Sequence, residues 1–474
     1  MKKITNMKRA VTAVLLAVFA ALSFASCVKD EEPIFKESAS VRLQNALKNA
    51  QDVLVGAENG WIMYYYPDPA QSYGGYVYTM KFTKEEVEVW SELFDGATKS
   101  LYKMATDDGP VLSFDTNNYN FHFFATPAGT GTNLYGVSQR YQAFKGDFDF
   151  LILSATKDEV VLKGKRSGNK IVMHPIAAGK TPESVMDAVC ECSESLFVSS
   201  YTGTVGNAPV EAYLYLGNRW MSIVLSGEQS GDVVEEFSAD IPFAYTETGI
   251  RFYEPIELGS HTITGFDWVE ESMSLVAVAD AKESASLAGI LPANWHPYED
   301  FIGDYDLVYN DNGDWWSTPR TVSVSIVPGE VKNTYLLKGV NENYDLQLIY
   351  DRPSGGMQLM AQIIAEWGEN LLLFAPCYGK QSASGGLSWS GWASTSYGMN
   401  IKVNEEKTAE AGTLVAEFSP GPSPSASQPI NMFALVVVSP SGSFLQWGSG
   451  NAFKDYFPFN YRYYAPFWVS ITKK

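Results

Sequence analysis

Tryptophans in polar company are the residues of this chain best suited to hold a ligand. Trp315-Trp316 follow Asn310-Asp311-Asn312-Gly313-Asp314, and Trp389 and Trp392 lie in Gly386-Leu387-Ser388-Trp389-Ser390-Gly391-Trp392. An exposed indole beside carboxylates stacks on sugar rings or on peptide aromatics. A plainer reading competes for Trp315 and Trp316: Asn312-Gly313 makes a hairpin turn and one indole enters a core. Around Trp389 and Trp392 a Ser/Gly loop offers little to cover two indoles, so exposure is expected. Eight of the twelve tryptophans fall at or after residue 295, which directs the binding expectation to the C-terminal part.

Other chemistries find less support. Asp311, Asn312 and Asp314 carry oxygen donors, but their spacing is too tight for an EF-hand loop and no terminal Glu follows at the right distance. The histidines His122, His174, His261 and His296 are far apart, and Cys190, Cys192 and Cys377 show no zinc spacing. No metal site and no cofactor is expected, and the three cysteines read as buried free thiols. His-Glu-x-x-His, Gly-x-Ser-x-Gly and a phosphate loop do not occur, so no catalytic residue is assigned. The acid pairs Glu85-Glu86, Glu235-Glu236 and Glu270-Glu271 sit in turns or beside strands. A hydrolase built from dispersed, facing carboxylates therefore stays open as an alternative. Lys163, Lys165, Arg166 and Lys170 are the one basic cluster, read here as edge-strand protection in preference to a docking patch.

The N-terminus gives an address. Lys2, Lys3, Lys8 and Arg9 precede the apolar run from Ala10 to Phe24. A basic start and a short apolar stretch make a secretory signal, too short for the roughly 20 residues of a spanning helix. Phe24-Ala25-Ser26-Cys27 resembles a bacterial lipobox, with Phe24 where leucine is usual. Residues 1–26 are then a removable signal peptide, and Cys27 carries the lipid. Residues 27–37 form an acidic tether. Within it, Lys29-Asp30-Glu31-Glu32 resembles the tag that exports Bacteroidota lipoproteins to the cell surface. A charged, solvated tether is the alternative reading of those four residues. The net charge of −20 becomes −24 once the four basic residues of the signal are lost. So acidic a body repels nucleic acid and disfavours docking on anionic lipid, which leaves anchoring to the acyl chains.

The elements that must position these residues are mostly strands. An apolar stripe of Leu43, Leu47, Ala50, Leu54 and Ala57 predicts a helix over 39–57, stopped by Gly60. Thr181 and Pro182 open a second helix, to about Phe197. Strands are expected at 61–66, 76–82, 87–90, 148–153, 159–163, 170–174, 210–216 and 220–225. Residues 38–297 read as one helix-plus-strand composite domain. The Leu291-Pro292-Ala293-Asn294-Trp295-His296-Pro297 stretch marks a boundary, and 298–474 reads as an all-β, Trp-rich domain. The expected class is mainly β with two short helices, an α+β N-terminal part and an all-β C-terminal part. Its units are antiparallel sandwiches or lipocalin-like barrels.

Several stretches carry a family resemblance. They are Gly60-Trp61, Tyr64-Tyr65-Tyr66-Pro67, Gly74-Gly75-Tyr76, Phe82, and Gly109-Pro110-Val111-Leu112-Ser113-Phe114-Asp115-Thr116-Asn117. Gly146-Asp147-Phe148-Asp149-Phe150 and Val161-Leu162-Lys163-Gly164-Lys165 complete the set. Together they resemble a domain-of-unknown-function family of Bacteroidota surface lipoproteins found beside SusC/SusD-type nutrient importers, over roughly residues 38 to 300. The resemblance implies a non-catalytic accessory role in capturing peptide or glycan at the outer membrane, with a SusC/SusD-type importer complex as partner. It brings no catalytic residue. A structural scaffold subunit of an importer complex is the further alternative.

Overall fold

The computed structural model describes residues 37–127, 133–134, 137–138, 143–205, 208–225, 237–258, 261–279, 285–311, 318–381, 387–460 and 467–474. The protein is mainly β with few helices, built from antiparallel sheets and eight-stranded barrels. It divides into two compact units. One comprises residues 1–192, 217–219 and 242–253, and the other 193–216, 220–241 and 254–474.

The first unit opens with the helix Ala39–Gly56, whose Ser38 hydroxyl caps the Val41 N–H at 3.4 Å. Ala50 and Leu54 are its fully buried residues, and the Leu54 carbonyl accepts the Trp61 indole N–H at 2.9 Å. Nine strands form one sheet. Its order is Phe94–Leu101, Glu86–Ser91, Tyr76–Phe82, Trp61–Tyr65, Lys170–Pro175, Val160–Gly164, Asp149–Ala155, Pro110–Ser113, Lys103–Thr106. Its two edge strands are consecutive in the chain, joined through Tyr102 alone. Tyr76–Phe82, read from its alternation as half-buried, is covered on both faces except at Lys81. Its outer side carries Thr79, whose hydroxyl donates to the Pro182 carbonyl of the helix Pro182–Ser195. Val160–Gly164 is paired on both sides, so edge protection does not account for the basic cluster. Lys165 is instead ion-paired with Asp107.

An aromatic core fills this sheet. Tyr65 lies 5.6 Å from Tyr78 and 5.9 Å from both Phe121 and Phe124, ring centre to ring centre. Phe121 belongs to a one-turn helix, Tyr119–His122, capped by Asn118.

Eight strands from Ser200–Val205 to Ala285–Ile290 follow one another in sequence and close into an up-and-down barrel, the last pairing with the first. Side chains alternate as a barrel requires: Val210, Ala212 and Leu214 are buried while Glu211, Tyr213 and Tyr215 are exposed.

The C-terminal strands make a second ring of eight. The order is Gly303–Asp311, Thr318–Pro328, Thr334–Lys338, Leu346–Asp351, Gly356–Met360, Gly398–Val403, Val415–Pro420, Phe467–Lys473, and back to Gly303–Asp311. Met432–Val438, Asn370–Gln381 and Gln362–Trp367 extend the sheet beyond the ring. Met432–Val438 is buried on both faces. Phe433, Leu435 and Val437 enter the main core, and Ala434, Val436 and Val438 enter smaller clusters on the other side. A seven-residue helix, Glu405–Ala411, interrupts the strands; Asn404 caps its start and Gly412 closes it in the left-handed region. Of the sandwich and barrel alternatives, the barrel is realised in these two sets of strands.

One buried ion pair ties the Gly217–Arg219 turn into the first unit. The Arg219 guanidinium donates to Glu92 and to the Gly75 carbonyl, both at 2.7 Å, and lies 3.9 Å from the Tyr76 ring centre. The Glu92 side chain is 3% exposed, so losing its cation strands a desolvated charge. Arg219→Ala should lower unfolding stability by about 3–5 kcal/mol in urea titration, and adding Glu92→Gln should recover part of the loss. Equal stability of Arg219→Ala and the parent would contradict this assignment.

Candidate functional site

A well-built cleft lies within the second unit, with a volume of about 630 Å³. That falls in the range of small-ligand sites, roughly 300–1,000 Å³. Five short segments supply it: Phe197, Glu270 with Met273, residues 295–299, the turn 329–333, and Tyr350 with Arg352.

Trp295 is fixed from three sides. Its indole N–H donates to the Arg352 carbonyl at 2.8 Å. Its ring lies parallel to that of Phe197, with centres 6.3 Å apart and planes 7° apart. Its third side rests on Gly355, where an added Cβ would come within 2.5 Å of the indole and where φ is +61°. The Arg352 guanidinium sits over the Phe197 ring, 4.5 Å from its centre, ion-paired with Glu270 and donating to the Glu194 carbonyl at 3.3 Å.

Tyrosine hydroxyls hold the neighbouring backbone. Tyr350 donates to the His296 carbonyl at 2.7 Å and Tyr335 to the Tyr298 carbonyl at 2.8 Å. Tyr298 stacks on Tyr335, centres 4.2 Å apart and planes 10° apart, and its own hydroxyl donates to the Thr334 carbonyl at 2.7 Å. Burial raises all three phenols above their ordinary range, so they remain protonated donors at neutral pH. Trp295 and Tyr298 stay half-exposed, and Glu299, Glu330, Val331 and Lys332 are exposed on the rim. Such an arrangement stacks a ring on immobilised aromatics and accepts or donates hydrogen bonds at its rim.

The sequence candidates lie elsewhere. Trp389 and Trp392 are not on an open loop. Trp389 belongs to the strand Leu387–Gly391, opposite Gly379, and meets Trp447 edge to face at 4.5 Å. Trp392 packs against the main C-terminal core, with Tyr397 at 6.4 Å. Both are half-buried. Gly391 explains why small residues accompany them: a Cβ there would meet Trp447 at 2.4 Å and the Cys377 sulfur at 2.7 Å. The glycine lets indoles pack down. Cys27, Lys29, Asp30, Glu31, Glu32, Trp315 and Trp316 lie outside the described residues. Asn312, Gly313, Asp314, Glu235 and Glu236 do too. Cys190, Cys192 and Cys377 are free thiols, Cys190 being half-buried and the others buried.

Sequence reasoning used Trp295 only as a boundary marker. The signal that could have found it was an indole set between prolines, Pro292 and Pro297, with Gly355 and Arg352 too distant in sequence to associate with it.

The family described as Domain of unknown function (DUF4302) matches residues 31–270, half of the chain. The chain belongs to the DUF4302 family. A second family, DUF4987, also described as a domain of unknown function, matches residues 279–420. The cleft of this DUF4302 protein draws Phe197 and Glu270 from the first match and Trp295, Tyr298, Tyr350 and Arg352 from the second. No curated protein matches the chain. Among solved structures, a DnaN sliding clamp (DNA polymerase III subunit beta) from Bartonella birtlesii bound to griselimycin aligns over 81% of this chain and 94% of its own. The identity is 10% and the TM-score 0.11. Two of the stretches that carry the resemblance meet in the DUF4302 region, at Tyr65 and Asp147. The Tyr65 hydroxyl takes the Asp147 N–H at 2.7 Å, and the Asp147 carboxylate in turn accepts the Ser167 N–H at 3.2 Å.

Two expectations follow. Gly355→Ala should push the Trp295 indole off its seat and lower stability by about 1–3 kcal/mol, with a shift in tryptophan emission; unchanged emission and melting would contradict the seating. His296 bridges Asp300 at 3.0 Å and Glu405 at 2.9 Å. Burial opposes its charged form, yet the hydrogen bonds to Asp300 and Glu405 outweigh burial and raise its pKa above the ordinary 6.5. A raised histidine stabilises fully below its unfolded pKa, and the contribution fades as pH rises through the folded one. The stability gap between the parent and His296→Gln should therefore be largest, up to about 1 kcal/mol, below pH ~6.5 and shrink above it. A gap that widens from acid to alkaline pH would contradict the bridge.

Proposed function

We propose that the chain is a lipoprotein of the outer membrane, displayed at the cell surface, acting as a non-catalytic accessory subunit in peptide or glycan capture beside a SusC/SusD-type importer. The Phe24-Ala25-Ser26-Cys27 ending and the acidic tether support the anchoring. The observation that carries the binding role is the cleft at Trp295. Its aromatics are held in place before any ligand arrives, which removes part of the ordering cost of binding.

Calorimetry of the full chain against glycan and peptide panels tests it. Trp295→Ala should weaken binding about tenfold or more, the 1.4 kcal/mol or greater typical of a central aromatic contact. Cys27→Ala should leave the membrane fraction. A panel without binders, or binding indifferent to Trp295, removes the capture role, and a Cys27→Ala form retained in the membrane removes the anchor.

A further inference from the structure

We infer that the ligand of this cleft is a neutral oligosaccharide, an inference that rests on the capture reading. The charges around the cleft are the argument. Glu270, Glu299 and Glu330 face Lys332 and Arg352. Arg352 is not available to an anion: its side chain is 13% exposed, lies over Phe197 and is ion-paired with Glu270. What remains is Glu299 and Glu330 against Lys332, one net negative charge. An anionic ligand meets two carboxylates and one exposed lysine, in a protein whose net charge of −20 already repels it. A cationic peptide gains only that single net charge, at an exposed rim where salt screens it within about 10 Å.

A neutral sugar matches every group. The half-exposed faces of Trp295 and Tyr298 take the C–H faces of pyranose rings. The Glu299 and Glu330 carboxylates accept from hydroxyls, and charge-assisted bonds of this kind are about twice as strong as neutral ones. Lys332 donates to hydroxyl or ring oxygens. The Arg352–Glu270 pair then serves to hold Phe197, and through it Trp295, in register; both are positioning residues.

The test uses the full chain with soluble neutral mannan, xylan and β-glucan, with polygalacturonate, and with a lysine-rich peptide. Binding to at least one neutral polymer is expected, with affinity constant within about twofold from roughly 50 to 500 mM salt. Trp295→Ala should weaken it about tenfold or more. Glu330→Gln is isosteric, exposed and safe for folding, and should weaken it roughly three- to tenfold, the worth of one charge-assisted bond reduced to a neutral one. Trp295-dependent binding of only polygalacturonate or only the peptide, falling steeply with salt, overturns the neutral-sugar inference while the capture reading stands. Binding of neutral polymer unaffected by both Trp295→Ala and Glu330→Gln overturns the inference at this cleft. Binding of no probe by the folded parent overturns both readings.

Discussion

The Trp295 indole N–H reaches the Arg352 carbonyl at 2.8 Å because Gly355 leaves room for the ring and Phe197 lies flat on its other side. These partners come from two segments distant in sequence from Trp295 and from each other, the 352–355 turn and Phe197. Arg352 follows the strand Leu346–Asp351, Gly355 leads into Gly356–Met360, and Phe197 precedes the first barrel strand. One part-buried donor satisfied in this way links the Trp295 segment to the 352–355 turn, with Phe197 stacked beside the ring. The cleft is therefore a consequence of packing around one residue, with tyrosine hydroxyls securing the backbone on either side of it.

Closure of strands explains why such a site can be rigid. The up-and-down barrel and the C-terminal ring leave their member strands without free edges, and the first sheet makes its two edges consecutive in sequence through Tyr102. Unpaired edge groups invite pairing with other chains. The acidic surface adds to the same protection by repulsion.

Much of the framework was legible in the chain. The helix stripe from Leu43 to Leu54, the alternation at Tyr76–Phe82 and the Gly217-Asn218 turn into Trp220–Leu225 sit where local pattern puts them. These are short-range signals, and short-range physics decides them. Barrel closure was not legible, since pairing of Ser200–Val205 with Ala285–Ile290 is a long-range choice among many compatible strands. The site was less legible still. Trp389 and Trp392 looked exposed because glycine and serine suggest a loop. In the folded chain Gly391 is small so that Trp447 can approach, and Trp389 and Trp392 are part-covered, as Trp295 is. Trp295 was overlooked because its importance lies in Arg352, Gly355 and Phe197, none of which is near it in sequence.

Hydrogen exchange in the free protein tests most directly whether the cleft is built in advance. The amides of Trp295, His296, Asp300 and Ile302 donate to the carbonyls of Pro292, Gly355, Pro297 and Glu299. Slow exchange over 295–302, approaching the protection of the C-terminal ring strands and little altered when glycan is added, is the predicted result. Exchange there as fast as in an unstructured loop, with protection gained only on adding ligand, would contradict it.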